Sequence, residues 1–364
     1  MYGASDNWLR VHLDGLLLLL LLLALSCGLA ILYSASGGEF YYVKRQAIWC
    51  GIALSVMFVV AQISPRFLAR WAIIPWLAGV IMLLAVIFIG TGAKGAQRWL
   101  NLGGFRFQPS ELLKVAVPLL LSSYLGNRVL PPRFMHVFIS LVLIGLPWVL
   151  VVIQPDLGTS LLIAGSGFFV LFLSGLPMRY LVIAAAAAAV AIPLMWFYGM
   201  HDYQRQRVLT MFNPEEDKLG AGWNIIQSTT AIGSGGVEGK GWLAGSQSQL
   251  DFLPESHTDF IIAVMAEEFG FFGVMGLLTL YMLIIIRCLI ISLRAKSMFG
   301  KLLGGSLTLT FFIYVFVNMG MVSGILPVVG VPLPMVSYGG TSLVTLMLGF
   351  GMLMAIATEK KRGS

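Results

Sequence analysis

Apolar runs of roughly 17–25 residues, the length that crosses a bilayer as helix, recur along this 364-residue chain, and no other feature limits its fold as severely. Lipid offers no partner to backbone N–H and C=O groups, so each run must satisfy its own, which a helix does. The runs fall at 13–35, 45–63, 68–90, 109–125, 134–153, 157–174, 179–198, 259–291, 301–323 and 341–358. Residues are 58% hydrophobic and 11% charged, with a mean hydropathy of +0.90; a soluble domain carries about 25% charged residues. The expected fold is therefore an all-α integral membrane protein with ten transmembrane helices. It forms a single polytopic domain over 1–364, with a large extracytoplasmic loop, 199–258, between the seventh and eighth helices. No strand pattern competes. The first run is too long for the apolar core of a signal peptide and is read as a helix. The eighth exceeds one crossing, so its first turns are expected to tilt or to stand outside the lipid.

The net charge of +7 reads through topology rather than as a nucleic-acid signal. Arg66, Arg70, Arg128, Arg133, Arg179, Arg294, Lys296, Lys301 and Lys360–Arg362 fall on one side, together with Arg10. That side is expected to be cytoplasmic, with both termini there. Lys44, Arg45, Lys94, Arg98, Arg106, Arg205, Arg207, Lys218 and Lys240 fall on the other, where the rule does not explain them. Cys27, Cys50 and Cys288 sit in apolar runs without paired spacing, and four histidines form no zinc motif.

The unusual chemistry gathers in the outer loops: 91–108 with glycines, cations and aromatics, 199–258, and 324–342 with three prolines. The last is expected to be non-helical backbone lining a protein-enclosed cavity. Asp259 stands where a polar loop enters an apolar run. Ser256-His257-Thr258-Asp259 fits a capping box, and on spacing alone cap and catalyst are evenly weighted. Lys114 can pair with Glu111 three residues away, a weak interaction of about 0.2–0.5 kcal/mol in water, or with Asp156, whose spacing also suits a helix N-cap. Glu267 and Glu268 lie about 12–14 Å along the helix from Asp259, and suit a proton path or hydrogen bonds to Asn318 or Ser323. Gly239-Lys240-Gly241 fails the Walker pattern, so no nucleotide site is expected.

Several motifs in order resemble the SEDS family (shape, elongation, division and sporulation): Arg98-Trp99-Leu100, Gln108-Pro109-Ser110-Glu111-Leu112-Leu113-Lys114 and Gln154-Pro155-Asp156-Leu157-Gly158-Thr159. So do Gly239-Lys240-Gly241-Trp242, Gln247 through Phe260, and Pro334-Met335-Val336-Ser337-Tyr338-Gly339-Gly340. The wording around Asp259 is closer to the elongation branch than to the division branch.

The resemblance implies a peptidoglycan glycosyltransferase that polymerises lipid II into glycan chains outside the inner membrane. It implies a class B penicillin-binding protein, a transpeptidase, as partner. It also implies that Asp259 is the essential carboxylate, with Lys114 and Arg98 handling substrate and Asp156 matching a family aspartate. On this reading Asp259 is the general base, and Lys114, Arg98 and Lys240 offset pyrophosphate charge. Glu111, Asp156, His257 and Ser337 are supporting residues. A divalent cation, Mg or Mn, held by Asp259 would share the charge. The alternatives are a lipid II flippase and a non-catalytic scaffold; labelled lipid II in detergent and in liposomes separates all three.

Overall fold

The computed structural model describes residues 12–93, 96–102, 105–200, 202–217, 220–246 and 256–359. Arg10, Lys94, Lys218, the stretch 247–255 and Lys360–Arg362, all used above, lie outside them.

Every apolar run has its helix. The chain begins with α1 (Gly15–Ala35), whose first turn is capped by Asp14 accepting from the Leu17 amide at 2.9 Å. Then come α2 (Phe40–Ala61), a short α3 (Pro65–Arg70) capped by Ser64, and α4 (Ile73–Ile89). The third run is thus two helices rather than one. Next are α5 (Pro109–Gly126), α6 (Phe134–Ile153), α7 (Leu157–Leu173) and α8 (Met178–Leu194), the last extended by one π turn to Gly199. The large loop contributes α9 (Asp202–Phe212) and α10 (Ala221–Gly235). The chain closes with α11 (Ile261–Arg294), α12 (Met298–Val322) and α13 (Gly340–Ala357). Among the described residues seven helices are long and apolar enough to cross a membrane; α4 and α7 are apolar but 17 residues long. The protein is a helical membrane protein.

One expectation fails. Residues 91–107 form a three-stranded antiparallel sheet, β1 (Thr91–Ala93), β2 (Ala96–Leu102) and β3 (Phe105–Phe107), in that order. Strands β1 and β3 have three residues each, too few to register as alternation, and the seven of β2, AQRWLNL, do not alternate. Outside the lipid, local pairing suffices to satisfy the backbone.

The bundle is built around α1, α11, α12 and α13, whose buried side chains form one continuous core with α2. A second core joins α4, α5, α6 and α7 around Leu83, Leu113, Leu121 and Ile163. By contrast α8 buries none of its residues. One end of the bundle is laced by Arg287 to Asp14, His12 to Thr358 and Lys296 to the Glu359 carbonyl, so the start of α1 and the end of α13 meet there. The unusual loops meet at the other.

Long helix α11 is broken at Gly270, which adopts φ 63 and ψ −161. The excess length over one crossing is thus taken up by a kink. Residues 323–339 between α12 and α13 hold neither helix nor strand, as their prolines and glycines predict. Helix α1 approaches this segment closely at Gly28, where a Cβ would collide with the Met335 carbonyl oxygen.

Candidate active site

At the loop end of the bundle a cavity of about 800 Å³ opens between α2, β2, α5, α7, the start of α11 and the irregular segment. Its wall includes Arg45, Arg98, Glu111, Lys114, Asp156, His257 and Asp259. Residues from distant parts of the sequence are brought together there, and each is held for a local reason.

Asp259 comes from a turn, 256–260, ahead of α11. The helix takes Phe260 as its N-cap, so Asp259 stands one residue before the cap position rather than filling it. Its backbone is tied down. The Asn318 side chain donates to the Asp259 carbonyl at 2.9 Å and to the Val331 carbonyl at 2.7 Å. Ser337 donates to the Thr258 carbonyl at 2.5 Å, and the Tyr338 amide donates to the His257 carbonyl at 2.9 Å. The irregular segment therefore serves as a cradle for the turn. Gly330 lies against the carboxylate: a Cβ there would sit 3.5 Å from Asp259 Oδ2.

Lys114 projects from α5 one turn past Pro109. Its Nζ is 2.6 Å from Glu111 Oε1, and the Tyr314 ring is centred 4.8 Å away. Glu111 in turn accepts from Thr345 at 3.4 Å. Lys114 therefore pairs with Glu111, its own helix neighbour, and not with Asp156.

Asp156 caps α7, accepting from the Thr159 amide at 3.2 Å. Its second oxygen accepts from Gln108 at 3.2 Å and lies 3.7 Å from Arg98 Nε. Arg98 also donates to the Pro155 carbonyl at 2.5 Å, which pins strand β2 to the start of α7. His257 packs beside Tyr42 and Tyr338, with ring centroids 5.2 and 6.1 Å away. Burial pushes the Tyr338 phenol above its usual range, against the opposing pull of the Arg45 guanidinium.

Lys240 is not in the cavity wall. Its ammonium is bound to Glu267 at 2.7 Å and to Ser246 at 2.8 Å. Asn318 holds the Asp259 turn rather than either glutamate, and Glu268 accepts from Ser34. The sequence reading missed Gln108, Trp49 and Thr159 as wall residues; Gln108 and Thr159 lie inside motifs already noted, and only the fold shows that they line one cavity. Arg45, noted only as an unexplained outer cation, finds its place here.

Among the described residues no three His, Cys, Asp or Glu side chains form a metal cluster. Glu111 is engaged by Lys114, and Asp156 by Arg98 and Gln108. Asp259 is the third carboxylate of the cavity wall. One carboxylate completed by substrate phosphate and water is a donor set that suits Mg²⁺.

The model of the FtsW/RodA/SpoVE family, described as a cell cycle protein family, matches residues 10–362. The chain belongs to that family. It is 54% identical over 354 residues to the peptidoglycan glycosyltransferase MrdB of Escherichia coli K12, covering 97% of this chain and 96% of the relative. It is 36% identical to a probable peptidoglycan glycosyltransferase FtsW of Geobacter metallireducens, covering 98% and 97%. A solved peptidoglycan synthase complex, described as coordinating polymerization and crosslinking, contains a chain that superposes with a TM-score of 0.84 at 31% identity, covering 96% of this chain and 98% of that one. Rod shape determining protein RodA of Thermus thermophilus superposes with a TM-score of 0.74 at 29% identity, covering 98% and 100%. Family membership extends over both cores and the whole cavity wall.

Proposed function

We propose that the chain is a peptidoglycan glycosyltransferase that polymerises lipid II on the outer side of the inner membrane during elongation, working with a class B penicillin-binding protein. Both termini are cytoplasmic on this reading, which places the cavity outside. The observation that carries it is the cavity wall: a carboxylate, Asp259, shares one opening with the cations Arg45, Arg98 and Lys114.

Glycosyl transfer from a lipid-linked pyrophosphate needs a base at the attacking hydroxyl and positive charge at the departing phosphate. Asp259 removes the proton from the acceptor GlcNAc 4-hydroxyl as that oxygen bonds to donor C1. The C1–O bond to undecaprenyl pyrophosphate breaks, and Arg98, Lys114 and Arg45 offset the charge that develops on the leaving group. Because these cations are held in place before substrate arrives, little reorganisation is needed at the moment of reaction. Glu111 and Asp156 act through their neighbours, orienting Lys114 and Arg98; His257 and Ser337 support the turn that carries Asp259. A divalent cation held by Asp259 would supply further charge to the pyrophosphate.

The test is purified protein with its partner and labelled lipid II in detergent. Wild type should form glycan polymer and Asp259→Ala none. Polymer at the wild-type rate from Asp259→Ala would overturn the assignment.

A further inference from the structure

Two sequence features are left unused by the cavity, Gly239-Lys240-Gly241-Trp242 and the Glu267-Glu268 pair, and the fold brings them together. The break in α11 at Gly270 deprives nearby backbone groups of their helical partners. Segment 236–241 replaces those partners. Lys240 and Gly241 donate their amides to the carbonyls of Glu267 and Glu268 at 3.0 and 2.9 Å. The amides of Phe271 and Phe272 donate to the carbonyls of Gly236 and Val237 at 3.0 and 3.3 Å. The approach is close enough that a Cβ on Gly235, Gly239 or Gly270 would collide with the opposing backbone.

Side chains repeat the connection. Glu267 is 0% exposed and Glu268 1%. Lys240 Nζ lies 2.7 Å from Glu267 Oε1, and Ser246 donates to the same oxygen at 3.2 Å. Glu268 accepts from Ser34 of α1.

We infer that Lys240 and Glu267 form a clamp that positions Asp259, which makes them positioning residues for the transfer. The inference rests on the reading of Asp259 as the base. Residues 261–269 form a half-helix with Asp259 just beyond its outer end and the clamp at its base. At 1.5 Å per residue the arm is about 14 Å long, so a swing of about 10° at Gly270 moves the tip by about 2 Å. Misplacing a reacting group by about 1 Å costs about a hundredfold in rate. Asn318 and Ser337 tie the tip and the clamp ties the base, leaving the half-helix one position. Lys240 therefore serves the reaction without touching substrate.

The two roles open to Lys240 give opposite kinetics. A pyrophosphate ligand, when removed, weakens substrate binding and raises KM; a clamp, when removed, lowers kcat. Lys240→Ala, Lys240→Arg and Glu267→Gln should be purified with the partner, and kcat and KM for lipid II measured beside the unfolding temperature. In Lys240→Ala and Glu267→Gln kcat should fall about tenfold or more with KM within about twofold, and Lys240→Arg should restore most of it. Lys240→Ala strands the buried Glu267 carboxylate and should unfold at a lower temperature, so its rates are taken per folded molecule, whereas Glu267→Gln leaves only the partly exposed Lys240 and should unfold near wild type. If Glu267→Gln does not fold, Lys240→Ala decides alone. A raised KM at constant kcat, wild-type rates per folded molecule, or a rate loss in Glu267→Gln that tracks a fall in its unfolding temperature each overturns the clamp. A wild type that makes no polymer overturns the polymerase reading and the clamp with it.

Discussion

Lys114 Nζ lies 2.6 Å from Glu111 Oε1, and the two side chains are only 6% and 9% exposed. A pair this buried is costly to split, because the survivor is left as an uncompensated charge. Glu111→Ala is expected to destabilise the protein by about 3–5 kcal/mol, read as a fall in unfolding temperature in detergent. Replacing both partners with methionine should cost much less stability and still abolish polymer, because the cavity then lacks its inner cation.

Asp156 does two jobs that substitution can separate. Asn keeps the N-cap on α7 and gives up the charge facing Arg98; Ala loses both. Asp156→Ala should therefore lose about 1 kcal/mol more stability than Asp156→Asn. Chemical unfolding of the two variants side by side is the measurement.

Gly28 allows α1 to press on the irregular segment at Met335. A methyl there forces the two apart, so Gly28→Ala should destabilise by about 1–3 kcal/mol. That same segment cradles the Asp259 turn, so activity per folded molecule should fall as well; polymerase assays on the folded fraction test this.

Asp14 carries a pH signature. Burial is the largest single influence and pushes its carboxyl up, but hydrogen bonds from Arg287 and the Leu17 amide, with the guanidinium charge, together hold it below its ordinary value of 3.8. A carboxyl depressed in the folded state stabilises that state above its unfolded pKa, and the contribution disappears as pH falls through the folded value. Wild type should lose this stability only below about pH 4, whereas Asp14→Asn should lack it already at neutral pH. The gap between their unfolding temperatures should close as pH falls through that range.

The helices were legible because lipid leaves so few solutions for an apolar run, and the non-helical nature of 323–339 because three prolines and several glycines forbid the alternative. The sheet at 91–107 was not, although the Gly103-Gly104 pair between β2 and β3 is of the kind that closes hairpins. Asp259, Lys114 and Arg98 were singled out by resemblance; their meeting in one cavity was a matter of tertiary placement. Pairing was the weakest reading. Lys240 was grouped with Lys114 and Arg98 as a charge for the pyrophosphate, yet the buried carboxylate of Glu267 takes its ammonium. Sequence spacing cannot choose among acids that only the fold makes neighbours.

Among the described residues α8 has no partner to interlock with, since none of its side chains is buried, and its run Ala184–Ala189 offers only smooth, shallow contacts. In a bilayer, acyl chains would meet the faces that the described residues leave uncovered. Its tilt should then follow bilayer thickness and not side-chain fit. One wall of this bundle is thus set by membrane composition, and a thicker or thinner bilayer can reshape that flank while leaving both packed cores untouched.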